Sequence, residues 1–203
     1  MARKIKKLAV LALLAVALTY GAGLLRDSSA LKESLVRLHV VANSDDQTDQ
    51  DLKLQVRDAV IGRLGSVVSS LGSAEEAKAY LAEHLEEIQK LANEALQQAG
   101  SQLKATVSLA LEKFPTRDYE TFQLPAGLYE ALRITIGQGE GHNWWCVLFP
   151  SLCVPASSQG FTEEAEASGL SDDLARTLTQ DGVGYEIRFK LLDWIGELKN
   201  LFA

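Results

Sequence analysis

The chain contains few residues of the kinds that bind metals. Its 203 residues include two cysteines and three histidines. The histidines, His39, His84 and His142, fall on three different predicted elements, and Cys146 and Cys153 lack the close spacing of a structural zinc site. The sequence therefore predicts neither a metal site nor a bound cofactor.

The chain also has no excess of positive charge. It has 20 lysines and arginines against 27 aspartates and glutamates, a net charge of −7. Residues 1–30 hold five of the basic residues and one acid, so their removal lowers the net charge by four, to −11. Nucleic acid is not an expected partner, because phosphate binding needs a basic face. Anionic lipid headgroups are disfavoured as partners of the folded part for the same reason.

Only one long apolar run occurs, from Leu8 to Leu25, and it follows four basic residues. As a helix it would be about 27 Å long, which suits either a signal peptide or a marginal membrane anchor. Small residues that end at Ala30 allow cleavage there, so residues 1–30 are either removed or kept as an anchor. In both cases residues 8–25 meet the membrane at least transiently, and residues 31–203 form a single exported domain.

The hydrophobic periodicity predicts an α+β fold. We expect an antiparallel sheet of about five strands packed against two long helices, with a C-terminal amphipathic helix, in the order β-α-α-β-β-β-β-(α)-β-α. The strands are expected at 34–42, 103–111, within 115–129, at 132–136, 143–149 and 185–190, and the helices at 49–71, 73–100 and 191–202. Ser73 and Glu76 form a capping box, and Gly100 is placed to end the second helix.

The C-terminal third is predicted to combine an acidic loop with a closing helix. The loop covers about 156–172, where polar and acidic residues replace the hydrophobic pattern. The helix carries an apolar stripe that includes Trp194 and is too apolar to be left in water. The stripe is expected to dock on the sheet, with membrane or partner contact as the alternative.

The stretch GQGEGHNWWCVLFPSLC, residues 137–153, concentrates the residues that could carry chemistry. Cys146 as nucleophile with His142 as base would make a cysteine hydrolase, but four positions of extended chain span about 13 Å, and Cys146 lies in a run that reads as core. The glycines at 137, 139 and 141 lie between two predicted strands, which favours a hairpin over a phosphate loop.

The two cysteines are candidates for a disulfide. Cys146 and Cys153 form an even pair in an exported domain, and the turn at Pro150-Ser151 can bring their sulfurs together. Closing so short a loop would contribute about 2.5 kcal/mol. The alternative is two free thiols in the core.

Three segments resemble the stage II sporulation protein R family. They are RLHVVANSDDQTDQDLKLQVRDAV at residues 37–60, LPAGLYEALRITIGQGEGHNWWCVLFPSLC at 124–153 and YEIRFKLLDWIGEL at 185–198. Together they span nearly all of the exported part. The segment after Asp45 lacks a proline expected there, and residues 156–172 follow no strict pattern.

The resemblance implies a signalling protein of endospore-forming bacteria. Such a protein is made in the forespore and exported into the space between the two membranes of the septum. There it activates a membrane-embedded aspartic-type protease of the mother cell, which cleaves the precursor of an early mother-cell sigma factor. The resemblance supplies no catalytic residues, so the chain is expected to be a ligand and not an enzyme, with no small-molecule substrate.

The candidate partner-binding residues are those whose side-chain type exceeds what folding requires. Several have a structural alternative: Arg57 pairing with Asp45, Asn143 shaping a turn, and Trp144 lying in the core. The full set is Arg37, His39, Asn43, Asp45, Arg57, His142, Asn143 and Trp144.

Two other functions compete with signalling. One is an exported hydrolase that acts on cell wall or peptide through Cys146 and His142. The other is a membrane-anchored structural protein of the septum.

Overall fold

The computed structural model describes residues 29–119 and 123–150, together with single positions near both ends: 7, 11, 15, 19, 21–23, 26, 190, 193, 194 and 197. The helices are α1 (Gln47–Val68), α2 (Ala74–Glu83) and α3 (Leu85–Gln98). The strands are β1 (Val36–Val41), β2 (Ala105–Phe114), β3 (Arg117–Asp118), β4 (Gln123–Leu124), β5 (Gly127–Ile136) and β6 (Asn143–Phe149). The fold is α+β, as the periodicity predicts.

The main sheet is mixed and has four strands in the order β2-β5-β1-β6. The expectation of a purely antiparallel sheet is wrong, because β1 pairs in parallel with β5 and antiparallel with β6. The chain leaves β1 through three helices and returns along β2, and β2 is antiparallel to β5, so β5 runs in the same direction as β1. β3 and β4 form a separate two-stranded sheet.

The position of β1 between β5 and β6 also corrects the predicted hairpin at residues 137–141. β5 and β6 follow each other along the chain, but they do not pair, since β1 separates them. The connecting segment, which we call the glycine loop (residues 137–142), therefore crosses over the end of β1. All six residues of β1 are buried, because it has a neighbour on each side and cover on both faces.

The three helices cover one face of the sheet. Val36, Leu38 and Val40 of β1 point toward them, as their alternation predicts. The buried residues of α1 follow the predicted stripe, with spacings of three and four. They are Leu52, Lys53, Val56, Val60, Leu64 and Val68.

The second predicted helix is two helices, because the chain breaks at His84. The φ and ψ of His84 are −107° and 16°, outside the helical region, and its amide bonds back to both Tyr80 and Leu81. Its ring stacks on Tyr80 at 4.1 Å, and its Nδ1 donates to the Tyr80 carbonyl at 2.8 Å. Neither glycine nor proline marks the break, which is why periodicity missed it.

Both predicted ends of this helical segment are confirmed. Ser73 Oγ accepts from the amide of Glu76 at 3.2 Å, while the Glu76 carboxylate accepts from the amide of Gly72 and not from that of Ser73. Gly100 has a φ of +77°, and the amide of Ser101 bonds to the Leu96 carbonyl at 2.9 Å. This is the left-handed cap that glycine favours.

The opposite face of the sheet carries a second, smaller core. Residues 29–33 are helical and contribute Leu31, which packs there with Leu35 and with Leu124 of β4. The remaining buried members are Phe114, Tyr129, Ala131 and Val147. The sheet is thus covered on both faces along part of its length, whereas the pattern predicts helices on one side only.

The other predictions for the two ends of the chain lie mostly outside the described residues. The acidic loop at 156–172 falls wholly in this category, and most of the leader at 1–30 and of the strand at 185–190 does too. Position 190, the last of the predicted strand, is helical, and so are the described positions 193, 194 and 197 of the closing helix. Asp193 Oδ1 accepts from the Ala126 amide at 2.9 Å and from the Thr116 hydroxyl, whereas Trp194 is 62% exposed. No helix among the described residues is both long and apolar enough to span a membrane.

Candidate functional site

The candidate residues meet where β1 ends and α1 begins. Asn43 lies at the centre of this region. Its Nδ2 donates to Asp49 at 2.7 Å, and its Oδ1 accepts from the Gln138 amide at 3.0 Å. Ser44 donates to the same Asp49 oxygen at 2.6 Å. These two hydrogen bonds lower the pKa of Asp49, and they tie the start of α1 to the glycine loop.

The glycine loop packs so closely on the residues that follow β1 that two of its positions, Gly137 and Gly141, have no room for a side chain. A Cβ at Gly141 would lie 2.2 Å from the Ser44 carbonyl oxygen, and one at Gly137 would lie 2.1 Å from Asn43 Oδ1. Gly137 and Gly139 also take positive φ, at 57° and 66°. The Gly141 amide bonds to the Ala42 carbonyl at 3.0 Å. These glycines are therefore required by close approach as well as by turning.

Lys53 is a buried cation beneath this loop that sequence reasoning missed. Its Nζ donates to Gln50 Oε1 at 2.6 Å and to the His142 carbonyl at 3.0 Å. Burial lowers the pKa of Lys53, and the charge of Asp45 opposes that effect. A signal was present in the sequence, because position 53 precedes Val56 by three and Val60 by seven, which places the lysine on the buried stripe of α1.

His142 and Asp45 form an exposed pair on top of the loop. The Asp45 carboxylate accepts from the His142 amide at 2.6 Å and also from its ring Nδ1. The two side chains are 78% and 57% exposed. They are thus the most accessible of the paired candidate residues, and the bond from the His142 amide ties the Asp45 side chain to the end of the glycine loop.

Arg57 and Trp144 lie together on the helix side of the same region. The Arg57 guanidinium sits 4.2 Å from the centre of the Trp144 ring and pairs with Asp58 at 2.6 Å. The alternative pairing of Arg57 with Asp45 is therefore not what the structure shows. Trp144 is half-buried against the helix-face core, and its buried Nε1 has no acceptor in the described part of the chain.

His39 and Asn143 belong to a polar cluster on the opposite face of the sheet. His39 Nδ1 donates to Glu112 at 2.6 Å, and its Nε2 lies 2.7 Å from Asn143 Oδ1. Glu112 also pairs with Arg133 at 3.3 Å, and the His39 ring stacks on Trp145 at 5.6 Å. Burial raises the pKa of Glu112, but the hydrogen bond and charge of His39, with the charge of Arg133, leave it below its ordinary value. The cluster joins strands β1, β2, β5 and β6.

Arg37 is fully buried, so it is not a surface contact. Its Nε donates to the Cys146 carbonyl at 3.2 Å and its Nη2 to the Tyr119 hydroxyl at 2.7 Å. The guanidinium lies 4.3 Å from the Phe114 ring centre and 5.2 Å from that of Tyr129. Burial lowers the pKa of Arg37 and raises that of Tyr119. The role that the structure assigns to Arg37 is to fill the second core.

Cys146 is disulfide-bonded and 5% exposed. A sulfur in a disulfide has no thiol proton to lose, so Cys146 cannot act as the nucleophile of a hydrolase. Cys153 lies outside the described residues, and its pairing with Cys146 remains a prediction. The described residues also contain no group of three or more metal-ligating side chains.

Comparison with known proteins identifies the family. The family model described as stage II sporulation protein R matches residues 32–159. The chain is also 35% identical over 185 residues to the stage II sporulation protein R of Bacillus subtilis (strain 168), with 83% of each chain covered. The chain belongs to the stage II sporulation protein R family. No solved structure matches it.

The family match contains every candidate residue and the entire main sheet. The stage II sporulation protein R model begins at residue 32, before β1, and ends at 159, after β6. The eight candidates separate into four groups within it. Arg37 is core, His39 and Asn143 form the cross-sheet cluster, and Asn43 shapes the loop. Asp45, Arg57, His142 and Trp144 form what we call the loop-end surface.

Proposed function

We propose that this chain is an exported sporulation signal that activates a membrane-embedded aspartic-type protease across the septum. Activation of the protease leads to cleavage of the precursor of an early mother-cell sigma factor. Membership of the stage II sporulation protein R family carries this proposal. The leader at residues 1–30, whose apolar run at 8–25 meets the membrane, directs export from the forespore. The signal then acts in the intermembrane space, either released or anchored.

Activation by a bound protein requires unequal affinity for two states of the enzyme. A ligand shifts an equilibrium between an inactive and an active form only by the difference between its affinities for them. The chain therefore binds the active arrangement of the protease more tightly than the inactive one. No catalytic residue of its own is needed for this role.

The loop-end surface is the part of the chain that we assign to protease contact. It combines two exposed polar side chains, Asp45 and His142, with the Arg57 and Trp144 pair beside them. Arginine and tryptophan are the residue types that most often dominate binding energy at protein interfaces. The close packing of Gly141 on Ser44 and the bond from the His142 amide to Asp45 hold Asp45 and His142 in place before binding, which reduces the entropy cost of association.

The direct test is reconstitution in a host that does not form spores. This chain, the cognate protease and the sigma precursor are expressed together, and precursor cleavage is followed by immunoblot. We expect cleavage only when all three are present and this chain is exported. Absence of cleavage, with all three proteins made and this one shown to be outside the cytoplasm, would contradict the proposal.

The surface is tested in the same assay with His142→Ala. The side chain is 78% exposed, so the unfolding free energy should change by less than about 0.5 kcal/mol, while cleavage should fall about tenfold. Lys90→Ala, which removes a side chain that is 79% exposed on α3, is the matched control and should leave cleavage unchanged. Equal cleavage by the two variants would place the contact elsewhere.

The hydrolase alternative makes a different prediction in this assay. The double variant Cys146→Ser with His142→Ala would lower precursor cleavage under both ideas, because each of them uses His142. Cys146→Ser alone separates the two ideas: if precursor cleavage depends on hydrolysis by Cys146, the single variant abolishes cleavage even when the folded protein accumulates normally. We expect it to retain cleavage in proportion to the amount of folded protein.

A further inference from the structure

The outer strand of the sheet, β2, is long and regular. It pairs with β5 over ten residues without a register shift, and no strand lies on its other side in the described part of the chain. Neither proline nor a bulge interrupts Ala105–Phe114. Proteins usually protect such an edge, because its free amides and carbonyls can pair with another strand.

Helix α3 protects only the first part of this edge. Asn93 bonds to Ala105 twice, donating to its carbonyl at 3.1 Å and accepting from its amide at 3.0 Å. Gln89 accepts from the Val107 amide at 3.1 Å. These side-chain amides replace a neighbouring strand as far as Val107 and no further. They also show that the odd-numbered residues of β2 direct their backbone groups outward.

The next three outward residues, Leu109, Leu111 and Lys113, have no such cover. Within residues 29–119 and 123–150, no hydrogen bond reaches their outward amides and carbonyls. Leu111 is 63% exposed, which makes it the most exposed large hydrophobic residue of the sheet. An exposed leucine beside an open backbone edge is the combination that a paired strand would cover.

We propose that a second copy of this chain pairs with β2 through this edge, in antiparallel orientation about a twofold axis at Leu111. Leu111 then lies opposite Leu111 of the second copy, Leu109 lies opposite Lys113, and Lys113 lies opposite Leu109. Each of these three pairs exchanges two backbone hydrogen bonds. The uncovered amides and carbonyls of both copies are all used.

The ends of the edge favour this register. Val107, two positions before Leu109, would face Pro115 of the second copy. The Val107 amide is already bonded to Gln89, and proline has no amide hydrogen. Neither residue can donate across the axis, so the ladder ends where the donors end.

The side chains are compatible with this pairing. On the helix face, two leucines meet at the axis and the Lys113 stem lies beside Leu109. On the opposite face, Glu112 lies opposite Ala110. Charges of like sign are therefore not directly opposed, and the sheet becomes continuous over eight strands from β6 to β6 of the second copy.

Cross-linking of the full-length chain tests the register. In a hydrogen-bonded antiparallel pair the Cα atoms are about 5.5 Å apart, within disulfide range, so Leu111→Cys should form a covalent dimer on oxidation. Ser108→Cys is the matched control, because Ser108 is exposed on the same strand. In the proposed register the Cα atoms of position 108 in the two copies would be about 20 Å apart, too far for a disulfide. Maleimide labelling confirms that both added thiols are accessible.

The expected result is a dimer band from Leu111→Cys on a non-reducing gel and none from Ser108→Cys or from the unsubstituted chain. Accessible thiols without a dimer band from Leu111→Cys would overturn the proposal. Equal bands from both variants would overturn it as well, because they indicate unspecific collision. Cross-linking of Leu111→Cys only to a protein of different mass would show that another chain occupies the edge.

The second measurement is the mass of the detergent-solubilised full-length chain by sedimentation. Leu111→Glu places two carboxylates at the axis and should raise the dimer dissociation constant at least about tenfold. The thermal midpoint should not fall, because Leu111 is exposed in the single chain. A chain that is monomeric at all concentrations, or a dimer unaffected by Leu111→Glu, would contradict self-pairing. Precursor cleavage is not used as a readout, so the outcome is independent of the proposed function.

Discussion

At the scale of single residues, Gly141 shows how a missing side chain decides the path of a loop. A methyl group there would meet Ser44 backbone at 2.2 Å and the Ala42 Cβ at 2.9 Å, and backbone cannot rotate away. We predict that Gly141→Ala lowers the unfolding free energy by about 2–3 kcal/mol in urea titration. Gly62→Ala, in open space inside α1, should raise it by about 0.5–1 kcal/mol. A neutral Gly141→Ala would mean that the loop can lift off β1.

Lys53 gives a second prediction at this scale. Its ammonium satisfies both Gln50 and the His142 carbonyl under the glycine loop. Lys53→Met keeps the stem but leaves these acceptors without their donor, so the unfolding free energy should fall by about 1–3 kcal/mol. Lys90→Met, on an exposed pair 3.9 Å apart, should cost less than about 0.5 kcal/mol. Equal costs would show that water replaces the Lys53 ammonium without loss.

The sequence predicts which face of a strand a side chain points toward better than it predicts what surrounds that side chain. Alternation correctly places Arg37 and His39 on the opposite face of β1 from Leu38. It cannot show that both are buried, because their cover comes from β2, β5 and residues distant along the chain. Nor does the motif around Gly141 reveal that the close contact is with Ser44, since that contact depends on which strand lies beneath the loop.

At the scale of elements, the sequence determines types well and pairings poorly. Periods of two and of three to four locate β1, α1, β2, β5 and β6, since each depends on local alternation between polar and apolar residues. The parallel pairing of β1 with β5 depends on contacts between residues far apart in the chain. The helix break at His84 coincides with a stacking contact with Tyr80 and is not marked by glycine or proline.

The disulfide of Cys146 gives a prediction for strand β6. If Cys146 pairs with Cys153, the denatured and unreduced protein should contain no titratable thiol and should migrate as a single chain on a non-reducing gel. After reduction it should contain two thiols. The bond should contribute about 2.5 kcal/mol to the unfolding free energy. A disulfide-linked dimer of the unsubstituted chain would show that Cys146 bonds between molecules.

At the scale of the whole molecule, the cluster around Glu112 links stability to pH. Its folded-state pKa lies below its ordinary value of 4.5. A carboxylate of this kind stabilises the fold above pH 4.5, and the contribution is lost as pH falls through the lower, folded-state value. We predict that Glu112→Gln is less stable than the unsubstituted chain at about pH 6.5 and that the difference shrinks at about pH 3.5. A difference that does not change with pH would show that the charge of Glu112 is not what matters.

The central position of β1 has a consequence for the order of folding. β1 is made first, yet its two neighbours, which begin at Gly127 and Asn143, are among the last described parts of the chain to be made. Until they emerge, six residues that will be buried on both faces have no partner. The sheet therefore cannot nucleate from its amino-terminal strand, and loop closure across three helices must precede the ladders of β1. A partly synthesised chain therefore exposes a strand whose backbone amides and carbonyls have no neighbouring strand to pair with.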